Sequence, residues 1–178
     1  MIDNVYIFDD VIPKSYQDLI ELNLLGEMNA HWLLLDDISY GQGHTASISN
    51  PGLVHPLKID NQIKSPIFNL VLPMVLISLD RINWKYTDTI MARSFLQFPK
   101  ETSTPNNSHI DLEMPHVVCL YYVNDCDGPT VIYELGSTNI LQTINPKKGR
   151  VAIFDGKYYH SSSNPTNSRR CIINFDII

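Results

Sequence analysis

From Thr87 to the C-terminus, short apolar runs alternate with clusters of turn residues, and this rhythm constrains the fold more than any other feature. The runs are Thr89–Phe98, Val117–Val123, Thr130–Tyr133, Ile140–Ile144, Arg150–Phe154, Tyr158–Ser161 and Arg170–Ile177. Between them lie Pro105-Asn106-Asn107, Asn124 to Pro129, Leu135-Gly136-Ser137, Pro146 to Gly149, Asp155-Gly156-Lys157 and Asn164 to Asn167. With a further segment at His109, this makes about eight strands at roughly 8–12 residue spacing, the signature of a sandwich or barrel. Eight antiparallel strands in two sheets form a jelly roll, the double-stranded β-helix of cupins.

The first half reads differently. Val5 to Phe8 predicts a short strand. Pro13 can open a helix and Ser15 can cap it. Tyr16, Leu19, Ile20 and Leu24 then follow helical spacing to about Gly26. Trp32 to Leu35 predicts a strand. Gly41 to Pro56, rich in Gly, Ser, Asn and Pro, predicts a loop. Ser65-Pro66 opens a helical stretch to about Ile82, which Pro73 should kink or divide. The expectation is a mainly β chain with N-terminal helices, one domain over 1–178. Residues 1–86 form a helical and mixed support, and 87–178 form the jelly-roll core.

A chain of 178 residues favours one domain with a sizeable core. Its apolar content of 44% and charged content of 18% are those of a globular protein. The net charge of −6 argues against general binding to nucleic-acid backbones. Cys119, Cys126 and Cys171 have no metal-type spacing, and Cys119 and Cys171 sit in apolar runs, as reduced buried thiols do. The opening Met1-Ile2-Asp3-Asn4 has no basic region followed by an apolar core, so no signal peptide is expected. The stretch Ile67 to Leu79, interrupted by Asn69, Pro73 and Ser78, falls short of the about 20 apolar residues that span a bilayer. A cytoplasmic location without membrane association is the expectation.

Two residues apart on an extended strand, side chains share a face, so His109 and Asp111 can meet one metal ion. His160, several strands later, follows a turn that could return it to the same mouth. Two imidazoles and one carboxylate with an open opposite side is a ligand pattern for non-haem Fe(II). On the next strand Arg170 could hold an acidic co-substrate bidentately. If Arg170 points inward, Ile172 and Asn174 do too, and Arg169, Cys171, Ile173 and Phe175 point away. Hydrophobicity alone prefers the reverse, with Arg169 inward.

Other polar residues read more blandly. His31, His44 and His55 lack a metal-type neighbour and are expected as surface loop histidines. His116 is expected as structural or near substrate. Tyr121 and Tyr122 point to opposite faces, so only one of them can reach the pocket. Arg93 shares a face with Met91, Phe95 and Gln97, and is expected either outward on the surface or in the pocket. Asp125, Asp127, Lys147 and Lys148 are expected in solvated turns.

The run from Thr89 to Ile178 resembles small Fe(II)- and 2-oxoglutarate-dependent oxygenases of the prolyl-4-hydroxylase type, including phage and bacterial members. The resemblance is carried by His109-Ile110-Asp111, Pro115 to Asp125, Asp127-Gly128-Pro129-Thr130, Pro146 to Arg150, His160 and Arg170 to Asn174. The opening Phe8-Asp9-Asp10-Val11-Ile12-Pro13 is similar too. It implies that His109, Asp111 and His160 hold iron and carry catalysis, and that Arg170 binds the distal carboxylate of 2-oxoglutarate. Oxygen is then the oxidant, ascorbate a candidate accessory, and the products succinate, CO2 and a hydroxylated peptide or small molecule. Prolyl hydroxylases proper often carry Lys where this chain has Arg170, which weakens the case for a proline substrate and leaves a peptidyl or prolyl-type substrate and a small molecule both open. Asp111, in place of Ala or Gly, favours hydroxylation over halogenation. The alternatives are a non-catalytic jelly-roll binding module and a cupin-type metalloenzyme that does not use 2-oxoglutarate. The segment 41–61 is expected as a lid or substrate wall.

Overall fold

The computed structural model describes residues 2, 4–26, 30–39 and 50–178. His44 and the first part of the expected lid lie outside the described residues. In order, the elements are β1 (Tyr6–Phe8), α1 (Lys14–Leu25), β2 (Leu33–Leu35), β3 (Gly52–Ile59), β4 (Gln62–Ile63), α2 (Ile67–Asp80) and β5 (Thr89–Gln97). There follow β6 (Val117–Tyr122), β7 (Thr130–Tyr133), β8 (Ile140–Ile144), β9 (Val151–Asp155), β10 (His160–Ser162) and β11 (Arg170–Ile177). The described residues are therefore mainly β, with two helices in the first half, as the patterning predicts.

Two sheets result. The larger runs β1-β9-β6-β11-β5-β3-β2, with β4 on β3; the smaller runs β10-β7-β8. Every strand pairing in both is antiparallel. His109 extends the smaller sheet. Its N–H donates to the carbonyl of His160 at 3.0 Å, and the N–H of His160 donates back at 2.9 Å.

The central strands are buried on both faces, so the two-residue alternation sorts side chains between two cores. Cys171, Ile173, Phe175 and Ile177 of β11 join Val117, Cys119 and Tyr121 of β6 under the helices, where Phe175 meets Phe68 of α2 at 6.2 Å between ring centres. Ile172 turns the other way, with Val118, Leu120 and Tyr122, toward Ile132 of β7 and Ile144 of β8. Arg170 is on this second face and is buried, whereas Arg169 is exposed. Hydrophobicity misleads here because the helix-side face is the greasier one and takes the odd-numbered residues.

Four local expectations need correction. Gly52 to Pro56 are strand, not loop, and belong to the larger sheet. A Cβ on Gly52 would lie 2.4 Å from Ile38 and 3.0 Å from the Leu96 carbonyl, so the glycine marks a close backbone approach. Pro56 stands where the register with β5 shifts, and a bulge needs no donor there. His55 is accordingly buried, with Nδ1 2.8 Å from the His31 carbonyl and Nε2 2.9 Å from Ser65 Oγ.

Ser15 does not cap α1. The helix begins one residue earlier, behind Pro13, and its cap has no side-chain hydrogen bond. Leu19 points to solvent while Gln17, Ile20 and Leu24 are buried. Finally, of the two outcomes expected at Pro73, a kink or a division, the division is ruled out: α2 is one helix through it. Pro73 and Asn69, whose carbonyl loses its helical donor, are both on the exposed side, where water can replace that bond. No helix among the described residues is long and apolar enough to cross a membrane.

Candidate metal centre and anion pocket

His109 on its bridge, Asp111 two residues on, and His160 at the start of β10 bring one ligand atom each to within 4.8 Å of one another. Asp111 Oδ2 lies 3.3 Å from His160 Nε2, and Oδ1 lies 3.9 Å from His109 Nε2. The imidazole centres are 4.8 Å apart. The His109–His160 bridge fixes this placement, because paired residues on neighbouring strands carry their side chains on the same face.

Each ring is oriented by its other nitrogen. His109 Nδ1 is 3.3 Å from the Asn107 carbonyl and His160 Nδ1 is 3.3 Å from the Tyr158 carbonyl. Carbonyls only accept, so both Nδ1 atoms donate and both Nε2 atoms face the cluster. Phe154 packs edge-on against His160, 5.2 Å between centres. Asp111 is held from two sides. Asn174 of β11 donates Nδ2–H to Oδ2 at 3.1 Å, and Arg93 of β5 places Nη2 3.3 Å from Oδ1.

The electrostatics follow from one carboxylate among two rings. Burial lowers His109 to about 4, and the neighbouring His160 adds to this, so its lone pair is free at neutral pH. Burial also opposes the charge on His160, but the closer Asp111 outweighs it and leaves the pKa raised. Asp111 itself is pushed up by burial, yet the imidazoles and Arg93 together hold it well below the usual range. Asp176, at the far end of the same β11 face, is driven well above that range by burial and by Asp111. His116, buried as expected of a structural residue, hydrogen-bonds the Met114 carbonyl and places Nε2 3.5 Å from Asp176 Oδ1.

Arg170 lies in the same pocket as the cluster. It is 2% exposed. All three of its bonds go to neutral oxygens: Nε to the Gly128 carbonyl at 2.8 Å, Nη1 to Gln97 Oε1 at 2.7 Å and Nη2 to Thr130 Oγ1 at 2.7 Å. Among the described residues no carboxylate pairs with it. Tyr122 also donates to Thr130 Oγ1, at 2.7 Å, and its ring lies under the guanidinium. Tyr121 faces the helices instead. Arg93 lines the pocket and is no surface residue.

The sequence reading overlooked Gln97, Thr130 and Asn174 as functional side chains. The signal for Asn174 and Gln97 was present in strand parity: each shares a face with an arginine. Thr130 carried none, since its role depends on which residue of β7 meets Arg170 across the sheets.

No protein-family model matches the sequence, and no curated protein sequence matches it. Solved structures do. A prolyl hydroxylase from Trichoplax adhaerens, in complex with a hypoxia inducible factor peptide fragment, is 14% identical with a TM-score of 0.69; the match covers 98% of this chain and 83% of that one. The viral collagen prolyl hydroxylase of Paramecium Bursaria Chlorella virus-1, as its 2-oxoglutarate complex, is 12% identical at TM-score 0.63, over 97% and 94%. The non-heme alpha ketoglutarate dependent epimerase SnoN of nogalamycin biosynthesis is 13% identical at TM-score 0.68, over 99% and 76%. The chain thus has the fold shared by structures of 2-oxoglutarate-dependent iron enzymes.

Proposed function

We propose that this protein is an Fe(II)- and 2-oxoglutarate-dependent oxygenase on a double-stranded β-helix, with His109, Asp111 and His160 as iron ligands and Arg170 as the anchor of the co-substrate. The ligand set fits the metal: two imidazole nitrogens oriented by backbone carbonyls and one carboxylate held by Asn174, with the pocket on their open side. When bound, the iron would supply oxygen activation coupled to decarboxylation of 2-oxoglutarate, giving succinate, CO2 and an oxidised substrate. The chain's own part is to hold the dicarboxylate. Its distal end would meet Arg170, with Thr130 and Tyr122 beside it, and the apolar walls of Leu120 and Ile172 would limit access of water.

The observation that carries this reading is Arg170. A buried guanidinium satisfied only by neutral acceptors calls for an anion, and it opens on the same pocket as the His–Asp–His cluster. The proteins that share the fold support it: a 2-oxoglutarate complex is among them, one is in complex with a peptide fragment and another belongs to nogalamycin biosynthesis. We read residues 1–178 as one such domain, working in an aqueous, reducing compartment such as the cytoplasm.

The test is anaerobic titration with Fe(II) and 2-oxoglutarate, which should raise the visible metal-to-ligand charge-transfer band. His109→Ala should abolish both the band and succinate release. A wild-type protein that binds Fe(II) but shows no such band would sink the proposal and favour a cupin-type metalloenzyme.

A further inference from the structure

The amides beside the anchor each have one orientation. Arg170 only donates, so the Gln97 atom 2.7 Å from its Nη1 is Oε1, and the Gln97 amide nitrogen faces Ser162 Oγ at 3.1 Å. A second chain of bonds starts from the other side. The Phe98 carbonyl only accepts, so Asn164 turns Nδ2 to it at 3.2 Å and leaves Oδ1 for Asn106. Asn106 Nδ2 therefore donates twice, to Asn164 Oδ1 at 3.1 Å and to Ser162 Oγ at 3.2 Å.

Ser162 Oγ thus accepts from two amides. A hydroxyl has two lone pairs and one proton, so the proton is all that Ser162 has left to offer. Among the described residues no acceptor takes it. Thr130, the residue paired with Ser162 across β7 and β10, is in the same state: its Oγ1 accepts from Arg170 Nη2 and from Tyr122, both at 2.7 Å. Paired residues share a face, and both side chains line the pocket that holds Arg170 and the His–Asp–His cluster. Ser162 is also two residues past His160 on an extended strand, so it shares that face with the metal ligand.

We propose that Ser162 donates its hydroxyl proton to the distal carboxylate of the co-substrate, and that Gln97 and Asn106 are positioning residues that leave it no other role. This rests on the iron and 2-oxoglutarate reading and adds a binding residue to it. Two hydroxyl protons beside one guanidinium favour a group that accepts at more than one oxygen, as a carboxylate does. A purely structural Ser162 would tie β10 to β5 and to the segment before His109, and would leave the co-substrate untouched.

Anaerobic titration of the Fe(II)-loaded protein separates the two roles, with 2-oxoglutarate and 2-oxovalerate as ligands. These 2-oxo acids have the same chain length and the same chelating end, but only the first has a distal carboxylate. The charge-transfer band gives a Kd for each. Ser162→Ala should weaken 2-oxoglutarate about tenfold or more and leave 2-oxovalerate within about threefold. Ser162→Cys, a weak donor of similar size, should fall between wild type and Ser162→Ala. Asn106→Asp puts an acceptor where the amide donated. It captures the Ser162 proton and should narrow the preference for 2-oxoglutarate as well. In the Ser162→Ala background the same change should add nothing, because the hydroxyl through which it acts is gone. A preference that survives Ser162→Ala, or an equal loss for both acids, overturns the proposal. A loss from Asn106→Asp that persists in the double variant is charge repulsion alone, and overturns the positioning role. Equal binding of the two acids by the wild type would fail the Arg170 anchor too, and so shows that the fault lies there and not in Ser162.

Discussion

Arg170 is costly to the isolated protein. It gives up hydration for three neutral acceptors, Gly128, Gln97 and Thr130, and finds no protein carboxylate among the described residues. Hydrogen bonds to a charged group contribute about 1.5–3 kcal/mol each, which holds the guanidinium in place without neutralising it. A dicarboxylate would do so, and its binding must then appear as stability. At 2-oxoglutarate near 100 times its Kd, the metal-loaded wild type should gain about 2.7 kcal/mol. For a chain this long that is roughly 5–10 °C in Tm. Arg170→Met should show no such gain, and Arg170→Lys only part of it, since a point charge cannot replace the fork. An undiminished shift in Arg170→Met by thermal denaturation would remove Arg170 from the site. Asn174 acts one step back, through its 3.1 Å bond to Asp111. Asn174→Ala should weaken metal affinity about 10–100-fold, measured by competition with a chelator, and leave the fold intact.

At the scale of elements, the strands after Thr87 were legible because each is short, apolar and bounded by turn residues. The seven predicted runs match β5 to β11 within one or two residues. Of the His–Asp–His set, the two-residue spacing suggested only that His109 and Asp111 share a face; that His160 joins them was implied by the family resemblance and its place behind a turn, and the structure brings the three together. What escaped the sequence was whatever a distant neighbour decides. Gly52 and Pro56 spell a loop locally, but β5 accepts them as a close approach and a bulge. Ser15 has a capping side chain, but the helix starts at Lys14, before it. Ser15→Ala should therefore change stability by less than about 0.5 kcal/mol in urea unfolding, where loss of a true cap costs about 1. Gly149 is the opposite case. It has φ +81°, and an added Cβ would meet the Gln17 side chain at 2.3 Å. Gln17 cannot give way freely, because its Nε2 holds Asp10 and the Ile12 carbonyl. Gly149→Ala should cost about 1–3 kcal/mol by the same measurement.

Across the whole molecule, the first 25 residues are joined to the rest of the fold at one corner. β1 pairs with β9, and Tyr16 of α1 donates to the Leu70 carbonyl of α2 at 2.7 Å. Charge closes the same corner: Arg150 contacts Asp9 at 2.8 Å, Lys147 contacts it at 2.8 Å, and Lys148 reaches Asp18 and Glu21 of α1. Lys147 and Lys148 are thus tied to the N-terminal segment, where the sequence suggested only a solvated turn. Arg150, and after it Lys147, holds the Asp9 carboxyl down at about 2, from an ordinary value of 3.8. A depressed carboxylate contributes stability that is complete above the unfolded pKa and is lost as pH falls through the folded one. The window is therefore about pH 4 down to pH 2. The Asp9 side chain is a third exposed, so solvent screening keeps the contribution below about 1 kcal/mol. Urea unfolding at pH 5.5 and pH 2.5 should show a smaller acid-induced loss for Asp9→Asn than for the wild type. The gap between the two proteins should narrow in high salt, because these charges face water. Parallel pH profiles for the two would mean that strand pairing and helix packing, without the ion pairs, hold the corner together.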